Sequence, residues 1–400
     1  MKYVTFDTET TISNKGNPFD LSNKMVASGL LYGGDKQAVL DYNLDWDWVR
    51  RMNDCFDSFM VVGFNLKFDV NWTRRYGIDY PKQIWDCQLA EFLMSYQEAK
   101  YPSLDETLAK YGYPPKYDVV EKEYWDKGID TDKIPREILS EYLATDLIRT
   151  EQVFRHQYHL FQTVQYKHLY KLFRLQCQDL LTLADMEYNG VLFKTEKARK
   201  KAGEIQKEQE DLYCTIRSFF NDAPINISSD AHLSAILYGG VILEETKIPI
   251  GLYKSGAKVG QVRYKNSFIP YKFPRIVEPL KGTEVRVDVP AKELELVEAG
   301  ILDEPRKYWS VNEDTLKQLK VKKDAKHILE LIMRYNKLDK LRSTYLEGWS
   351  NLIDKMNWEE NVIHSQLNQT LVISGRLSSS KPNGQNADKL TKLFCESRYV

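Results

Sequence analysis

The sequence predicts an α/β first domain, a mixed sheet flanked by helices, followed by a mainly helical second part with a β-rich insertion. Three observations carry this. Residues 1–64 hold short strand-like segments and one continuous apolar run, Phe59-Met-Val-Val-Gly-Phe64, of the kind found in a strand buried on both faces. From about residue 156 the pattern changes to long amphipathic and polar helices. These are interrupted by residues 247–286, where 9 Lys/Arg stand against 2 acids and Tyr253, Tyr264, Phe268, Tyr271 and Phe273 are interleaved.

Composition permits such an organisation. A chain of 400 residues, 42% hydrophobic and 28% charged, has the material for two or three domains with proper cores. The net charge of −1 divides unevenly. Residues 1–150 carry 18 Lys+Arg against 25 Asp+Glu, a balance of −7, and residues 151–400 carry 38 against 32, a balance of +6. An acidic first part suits the holding of cations, and a basic second part suits contact with a polyanion. The 5 cysteines lack Cys-x-x-Cys spacing, which argues against a zinc site or a disulfide framework. No apolar run approaches the roughly 18 residues of a membrane span, so a reducing, cytoplasmic setting is expected.

Taken in order, Tyr3–Thr10 reads as a buried strand that carries Asp7 and Glu9 at i and i+2, on one face. Two such carboxylates repel, and divalent cations with oxygen ligands relieve the repulsion. Met25–Tyr32 and Gln37–Tyr42 form a hairpin across Gly33-Gly34-Asp35, and Trp46–Phe56 has helical spacing. After the run 59–64 a helix starts at Asn65, with Phe68 and Asp69 in its first turn. Ile84–Met94 reads as a helix with Asp86 as a structural cap. Ile138–Phe154 is a further helix, in which Tyr142 and Asp146, at i and i+4, share a face.

In this order and spacing, Asp7-x-Glu9, Asn65-x-x-Phe68-Asp69 and Tyr142-x-x-x-Asp146 resemble the three motifs of the DEDD 3′→5′ exonucleases, in the subclass with Tyr before the last Asp. The resemblance covers residues 1–155. It implies a ribonuclease H-like domain with two Mg²⁺ or Mn²⁺ ions held by Asp7, Glu9, Asp69 and Asp146, Asp7 bridging both. It makes Tyr142 the residue that orients the attacking water, and Asn65 and Phe68 contacts of the DNA strand. Two-metal chemistry suits phosphodiester hydrolysis at neutral pH and requires no Cys, Ser or Lys nucleophile.

Residues 156–185 read as helical, and Met186-Glu-Tyr-Asn-Gly-Val191 as a helix stop and short strand. A polar helix spans about 195–220, Ser228-Ser229-Asp230 caps another, Tyr308–Leu319 opens a third, and Ile328–Leu346 is a longer one. Residues 363–386 read as a polar loop between strands. The segments MEYNGV, INISSDAHLSAILYG, YNKLDKLRSTYL and SGRLSSSKPNGQN resemble the family A DNA polymerases, the family of bacterial polymerase I and many phage replicases. The resemblance implies a thumb over 195–350 with its insertion at about 241–308, and palm segments over 156–194 and 351–400. It lays Arg376, Ser378, Asn383, Gln385 and Asn386 against a primer–template duplex, although Gly384 and Ala387 stand where bulkier apolar residues are expected. The basic, aromatic insertion is expected to touch DNA backbone.

The family's polymerase catalytic motifs follow the GRLSS segment, beyond Val400. The expectation is therefore a proofreading exonuclease and DNA-gripping portion whose polymerase site belongs to a longer or a second chain. Two other classes stay open: a non-catalytic DNA-binding half, and a stand-alone exonuclease acting on RNA.

Overall fold

Strand β1 (Tyr3–Thr10) is the middle of the sheet around which the first part of the chain folds. The computed structural model describes residues 2–285, 291–321 and 323–398. Residues 286–290 of the expected insertion, and Tyr399 and Val400 of the closing segment, lie outside the described residues. The chain divides into two units, Met1–Ala198 with Gly348–Val400, and Arg199–Glu347.

In the first unit, β2 (Met25–Tyr32) pairs antiparallel with β1 and with β3 (Val39–Asp41), giving the expected hairpin. Helix α1 (Trp46–Ser58) is capped by Asp45, whose side chain accepts from the Trp48 backbone N–H at 3.0 Å. Strand β4 (Met60–Gly63), buried throughout, runs parallel to β1 and leads to α2 (Leu66–Arg75). The sheet is completed by β5 (Ile84–Asp86), parallel to β4, in the order β3-β2-β1-β4-β5. This corrects the reading of Ile84–Met94 as one helix. Three buried residues are too few to show a period of two, and only pairing with β4 makes them a strand; helix α3 (Cys87–Met94) begins after them. Asp86 caps two helices, accepting from Leu89 N–H at 2.7 Å and Leu66 N–H at 2.6 Å.

Helices α4 (Leu104–Tyr111) and α5 (Val119–Glu123) precede the long helix α6 (Arg136–Leu160). The expected continuous helix over 156–185 is broken: α6 ends at Leu160 and α7 (Tyr170–Asn189) starts after a 3-10 turn. Phe161 fills the break by stacking on Phe173 at 5.1 Å and meeting Trp85 edge-on at 5.6 Å, a tertiary contact that no local pattern announces. Gly190, at φ 64°, turns the chain into β6 (Val191–Phe193), as Asn-Gly suggested.

The second unit is entered within α8 (Thr195–Phe219). Its core gathers Ile216 and Ile225 with the buried residues of α9 (Asp230–Tyr238), which Ser229 caps as read. The insertion is a long antiparallel hairpin, β7 (Gly240–Leu252) and β8 (Val262–Phe273), which leaves Ile248, Leu252, Val262 and Tyr264 exposed. Strand β9 (Glu284–Val285), helix α10 (Ala291–Glu298) and strand β10 (Tyr308–Trp309) follow. Tyr308 and Trp309 are thus strand residues paired with β9, and the helix expected from Tyr308 is α11 (Glu313–Gln318), capped by Asn312. The last long helix is α12 (Lys323–Asp339), which continues over Lys340–Glu347 with π winding.

Back in the first unit come α13 (Gly348–Lys355), then β11 (Val362–Ile363), β12 (Gln366–Asn368), β13 (Ser378–Ser380), α14 (Lys389–Lys392) and β14 (Cys395–Glu396). Strand β6 lies between β11 and β14 in a three-stranded antiparallel sheet, and β12 and β13 form a separate two-stranded ribbon.

Along β1, side chains alternate faces. Thr5, Asp7 and Glu9 pair with Leu31, Gly29 and Ala27 of β2, and Ala27 and Leu31 pack with Leu143 and Leu147 of α6. Gly29, opposite Asp7, is the point of closest approach: a Cβ there would meet Leu147 Cδ1 at 2.6 Å and Leu143 Cγ at 3.1 Å. Glycine therefore sets how near α6 lies to the sheet. Gly29→Ala should lower unfolding free energy by about 1–3 kcal/mol through overpacking, measured by urea denaturation. A stability equal to the parent's would show that α6 has room to spare.

Candidate active site

A cleft of about 330 Å³ opens over the end of β1 and is lined by Asp7, Glu9, Tyr142 and Asp146. Four of the five residues singled out as catalytic thus come together, two from one strand face and two from one helix face. The fifth, Asp69, sits in the first turn of α2, 3% exposed, where it accepts a 2.6 Å hydrogen bond from Thr8 Oγ1. Thr8 lies between the two strand carboxylates in sequence and points to the opposite face, so it ties the α2 acid to the same strand.

The electrostatics are those of acids crowded out of water. Burial, then the charge of Asp146, pushes the Asp7 carboxyl up from its ordinary range. Burial and the charges of Asp7 and Asp146 raise Glu9, and burial and Asp7 raise Asp69. Asp146 is also raised by burial, against the pull of Lys116. Its Oδ2 is held by Lys116 Nζ at 2.9 Å, while its Oδ1 is buried without a hydrogen-bond partner. Tyr142 accepts a 3.0 Å hydrogen bond from the same ammonium group and packs edge-on against Trp125 at 5.7 Å. Burial and the neighbouring carboxylates push the phenol well above its ordinary range, so it stays neutral at physiological pH.

Among the described residues, no group of three acidic, His or Cys side chains is close enough to hold a metal ion as it stands. The donor set nevertheless fits hard divalent cations: several carboxylates, all raised by burial, and one orphaned carboxylate oxygen of Asp146. Thr8 holds Asp69, and Lys116 holds Asp146. Lys116 is the residue that sequence reasoning missed. It follows Pro114-Pro115 in a connecting loop, and no spacing relates it to the motifs.

Asn65 adopts a left-handed backbone (φ 63°) at the start of α2 and makes no side-chain cap; Asp86 satisfies Leu66 N–H instead. Phe68 lines the cleft and also a neighbouring cavity of about 240 Å³ that Asn65 borders. In the lining of that cavity, buried Glu187 of α7 accepts from Lys67 Nζ at 2.6 Å and from Leu367 N–H at 2.5 Å, which joins α2 to β12. Arg376, Ser378, Asn383, Gln385 and Asn386 lie on or beside the β12–β13 ribbon, and none of them lines the carboxylate cleft. Arg376 is exposed, Ser378 pairs with Asn368, and the Asn383 side chain accepts from Gln385 N–H at 3.1 Å.

The raised carboxyls set a sign for stability. The folded protein binds protons at neutral pH that the unfolded chain does not. The stabilisation is complete below the ordinary carboxylate range and is lost as pH rises through the raised values. In metal-free protein, Asp7→Asn should therefore raise stability at pH 8 by at least about 1 kcal/mol, with the gain fading towards pH 4. Calorimetry in chelator checks this, and a variant no more stable than its parent at pH 8 would remove the picture of mutual repulsion.

Residues 1–156 match the family described as 3'-5' exonuclease, and residues 290–398 match DNA polymerase family A. Among curated relatives, thermostable DNA polymerase I of Thermus filiformis is 41% identical over 75 residues, 19% of this chain and 9% of the relative. DNA polymerase I of Bacillus subtilis is 38% identical over 78 residues (20% and 8%), and that of Geobacillus stearothermophilus is 34% identical over 119 (28% and 13%). The aligned part of the chain thus spans only about a tenth of the length of these relatives. A solved structure, the POL domain of Pol1 from M. smegmatis in complex with DNA primer-template and dNTP, superposes with a TM-score of 0.59 at 14% identity. It covers 98% of this chain and 54% of that one, a likeness of fold.

Proposed function

Because the chain belongs to the family A DNA polymerases, with an N-terminal 3′–5′ exonuclease domain and a region of the polymerase domain, we propose that it removes nucleotides from the 3′ end of DNA and so proofreads a primer terminus. The observation that carries this reading is the cleft itself. Asp7 and Glu9 from β1 and Tyr142 and Asp146 from α6 share it, with all three acids raised by burial and the two strand acids raised further by the charge of Asp146.

In this reading Asp7, Glu9, Asp69 and Asp146 hold two Mg²⁺ or Mn²⁺ ions, which when bound supply charge compensation and an activated water. The chain's own residues do the rest. Tyr142, neutral at physiological pH, offers a hydroxyl that orients the attacking water. Phe68 offers an aromatic face on the cleft for a terminal base, and Asn65, on the adjoining cavity, an amide for the strand behind it. Arg376, Ser378, Asn383, Gln385 and Asn386 contact the backbone of the primer–template duplex on the ribbon side.

We assign residues 1–155 to the exonuclease domain, 156–194 and 351–400 to palm segments, and 195–350 to a thumb whose β7–β8 hairpin approaches DNA backbone. Support comes from the division of the chain at 198/199 and 347/348, and from the sheet that unites β6 with β11 and β14.

The test is digestion of 5′-labelled single-stranded DNA, with an RNA strand of the same sequence in parallel. Expected is a ladder shortening from the DNA 3′ end in Mg²⁺, abolished by chelator and by Asp7→Ala with Glu9→Ala, and slowed about tenfold in Tyr142→Phe. A ladder that persists in the double variant would exclude this cleft, and preference for RNA would exclude the proofreading role.

A further inference from the structure

Among the described residues, Lys116 is the one cation paired with a catalytic carboxylate of the cleft, and nothing in the two-metal reading uses it. Its ammonium group reaches Asp146 Oδ2 at 2.9 Å and the Tyr142 hydroxyl at 3.0 Å, and stands 5.1 Å from the Tyr142 ring centroid. Its side chain is only 18% exposed; Glu121 stands 4.0 Å away, and the charge of Lys116 also pulls on Asp7 and Glu9. A lysine is rarely withdrawn from water to this degree without a role for its charge. The bonding is directional as well. Lys116 can only donate, so the phenol oxygen of Tyr142 accepts, and the single phenol hydrogen remains for Asp146 or for a water in the cleft.

We propose that Lys116 is the resident counter-cation of the cleft: it neutralises Asp146 and fixes the Tyr142 hydroxyl before metal binds, and competes with divalent cations for Asp146. The ammonium occupies one oxygen of Asp146, and the other, Oδ1, is buried with no partner. A second cation drawn to that carboxylate meets the positive charge of Lys116 at close range, where Coulomb repulsion is strong in a poorly solvated site. Lys116 is thus a positioning residue with two opposed effects. It holds Tyr142 and Asp146 in register for the reaction, and it keeps metal affinity below what the carboxylates alone would provide.

This rests on the exonuclease reading of the cleft, and the experiment separates the two. Mn²⁺ binding to the full chain is titrated by electron paramagnetic resonance, and single-stranded DNA hydrolysis is measured beside it. The proteins are the parent, Asp7→Ala, Lys116→Met, Lys116→Arg, and Lys122→Met as a control that loses an exposed lysine paired with Asp118. Lys116→Met should bind Mn²⁺ about tenfold more tightly while its kcat falls about tenfold with KM little changed. Lys116→Arg should restore both values towards the parent, and Lys122→Met should alter neither.

A merely structural lysine would weaken metal binding when removed. Unchanged or weaker Mn²⁺ affinity in Lys116→Met therefore overturns the inference and leaves the exonuclease reading intact. Parent protein whose Mn²⁺ binding is indifferent to Asp7→Ala overturns both. Should Lys116→Met fold only when Mn²⁺ is added, the inference stands; failure to fold even at saturating Mn²⁺ overturns it.

Discussion

Crowding of buried carboxylates is the constraint on which the rest of the first unit depends. Glu9, Asp69 and Asp146 are each 5% exposed or less; Asp7 shares the cleft with Glu9 and Asp146, and Asp69 is tied to the same strand through Thr8. Acids in such surroundings lose the hydration that favours their charged form, and the charges of their neighbours raise Asp7, Glu9 and Asp69 further. An arrangement this costly persists only where the surrounding scaffold over-determines it. Here the scaffold is a central strand fixed on both sides by β2 and β4, with α6 laid across it. The absence of a side chain at Gly29 brings that helix close, so one backbone position governs the spacing between the strand acids and the helix acid.

A second buried charge performs a different task. Glu187 and Lys67 form an ion pair with side-chain exposures of 6% and 17%, and the carboxylate also takes the backbone N–H of Leu367. His364, stacked on Phe19 at 4.1 Å, donates its Nδ1–H to the backbone oxygen of Glu187 at 2.7 Å. Burial holds that imidazole neutral, at about 4. Breaking such a network strands a charge in a dry place, which makes it an effective register for joining chain segments. Through it, residues more than 170 positions apart in sequence form one wall of the cavity beside the cleft.

The second unit follows simpler rules. Its core is a cluster of aliphatic and aromatic side chains around α9 and α12, and its helices are capped by Ser229 and Asn312. The β7–β8 hairpin leaves this core after its first residues: Ile242 is 1% exposed, whereas Ile248 and Leu252 are 46% and 56% exposed. The outer half of the ribbon draws its order from its own ladder, and there Lys247, Lys254, Lys258, Arg263, Tyr264 and Lys265 are exposed, while Tyr271 and Phe273 at its base pack against the core.

What the sequence determined by itself was whatever depends on short-range geometry. The i, i+2 spacing of Asp7 and Glu9, the i, i+4 spacing of Tyr142 and Asp146, the Ser229 cap and the Asn189-Gly190 turn each follow from the backbone repeat of a single element. The family resemblance drew on the same local signals. Tertiary structure alone decided the rest, because it depends on partners far away in the chain. Ile84–Asp86 becomes a strand only beside β4, Phe161 ends a helix only against Trp85 and Phe173, and Asp69 is tied to β1 only through Thr8. Lys116 is the plainest case. A lone lysine after two prolines is unremarkable in sequence, and its position between Asp146 and Tyr142 exists only once α6 has packed and the loop has closed over it.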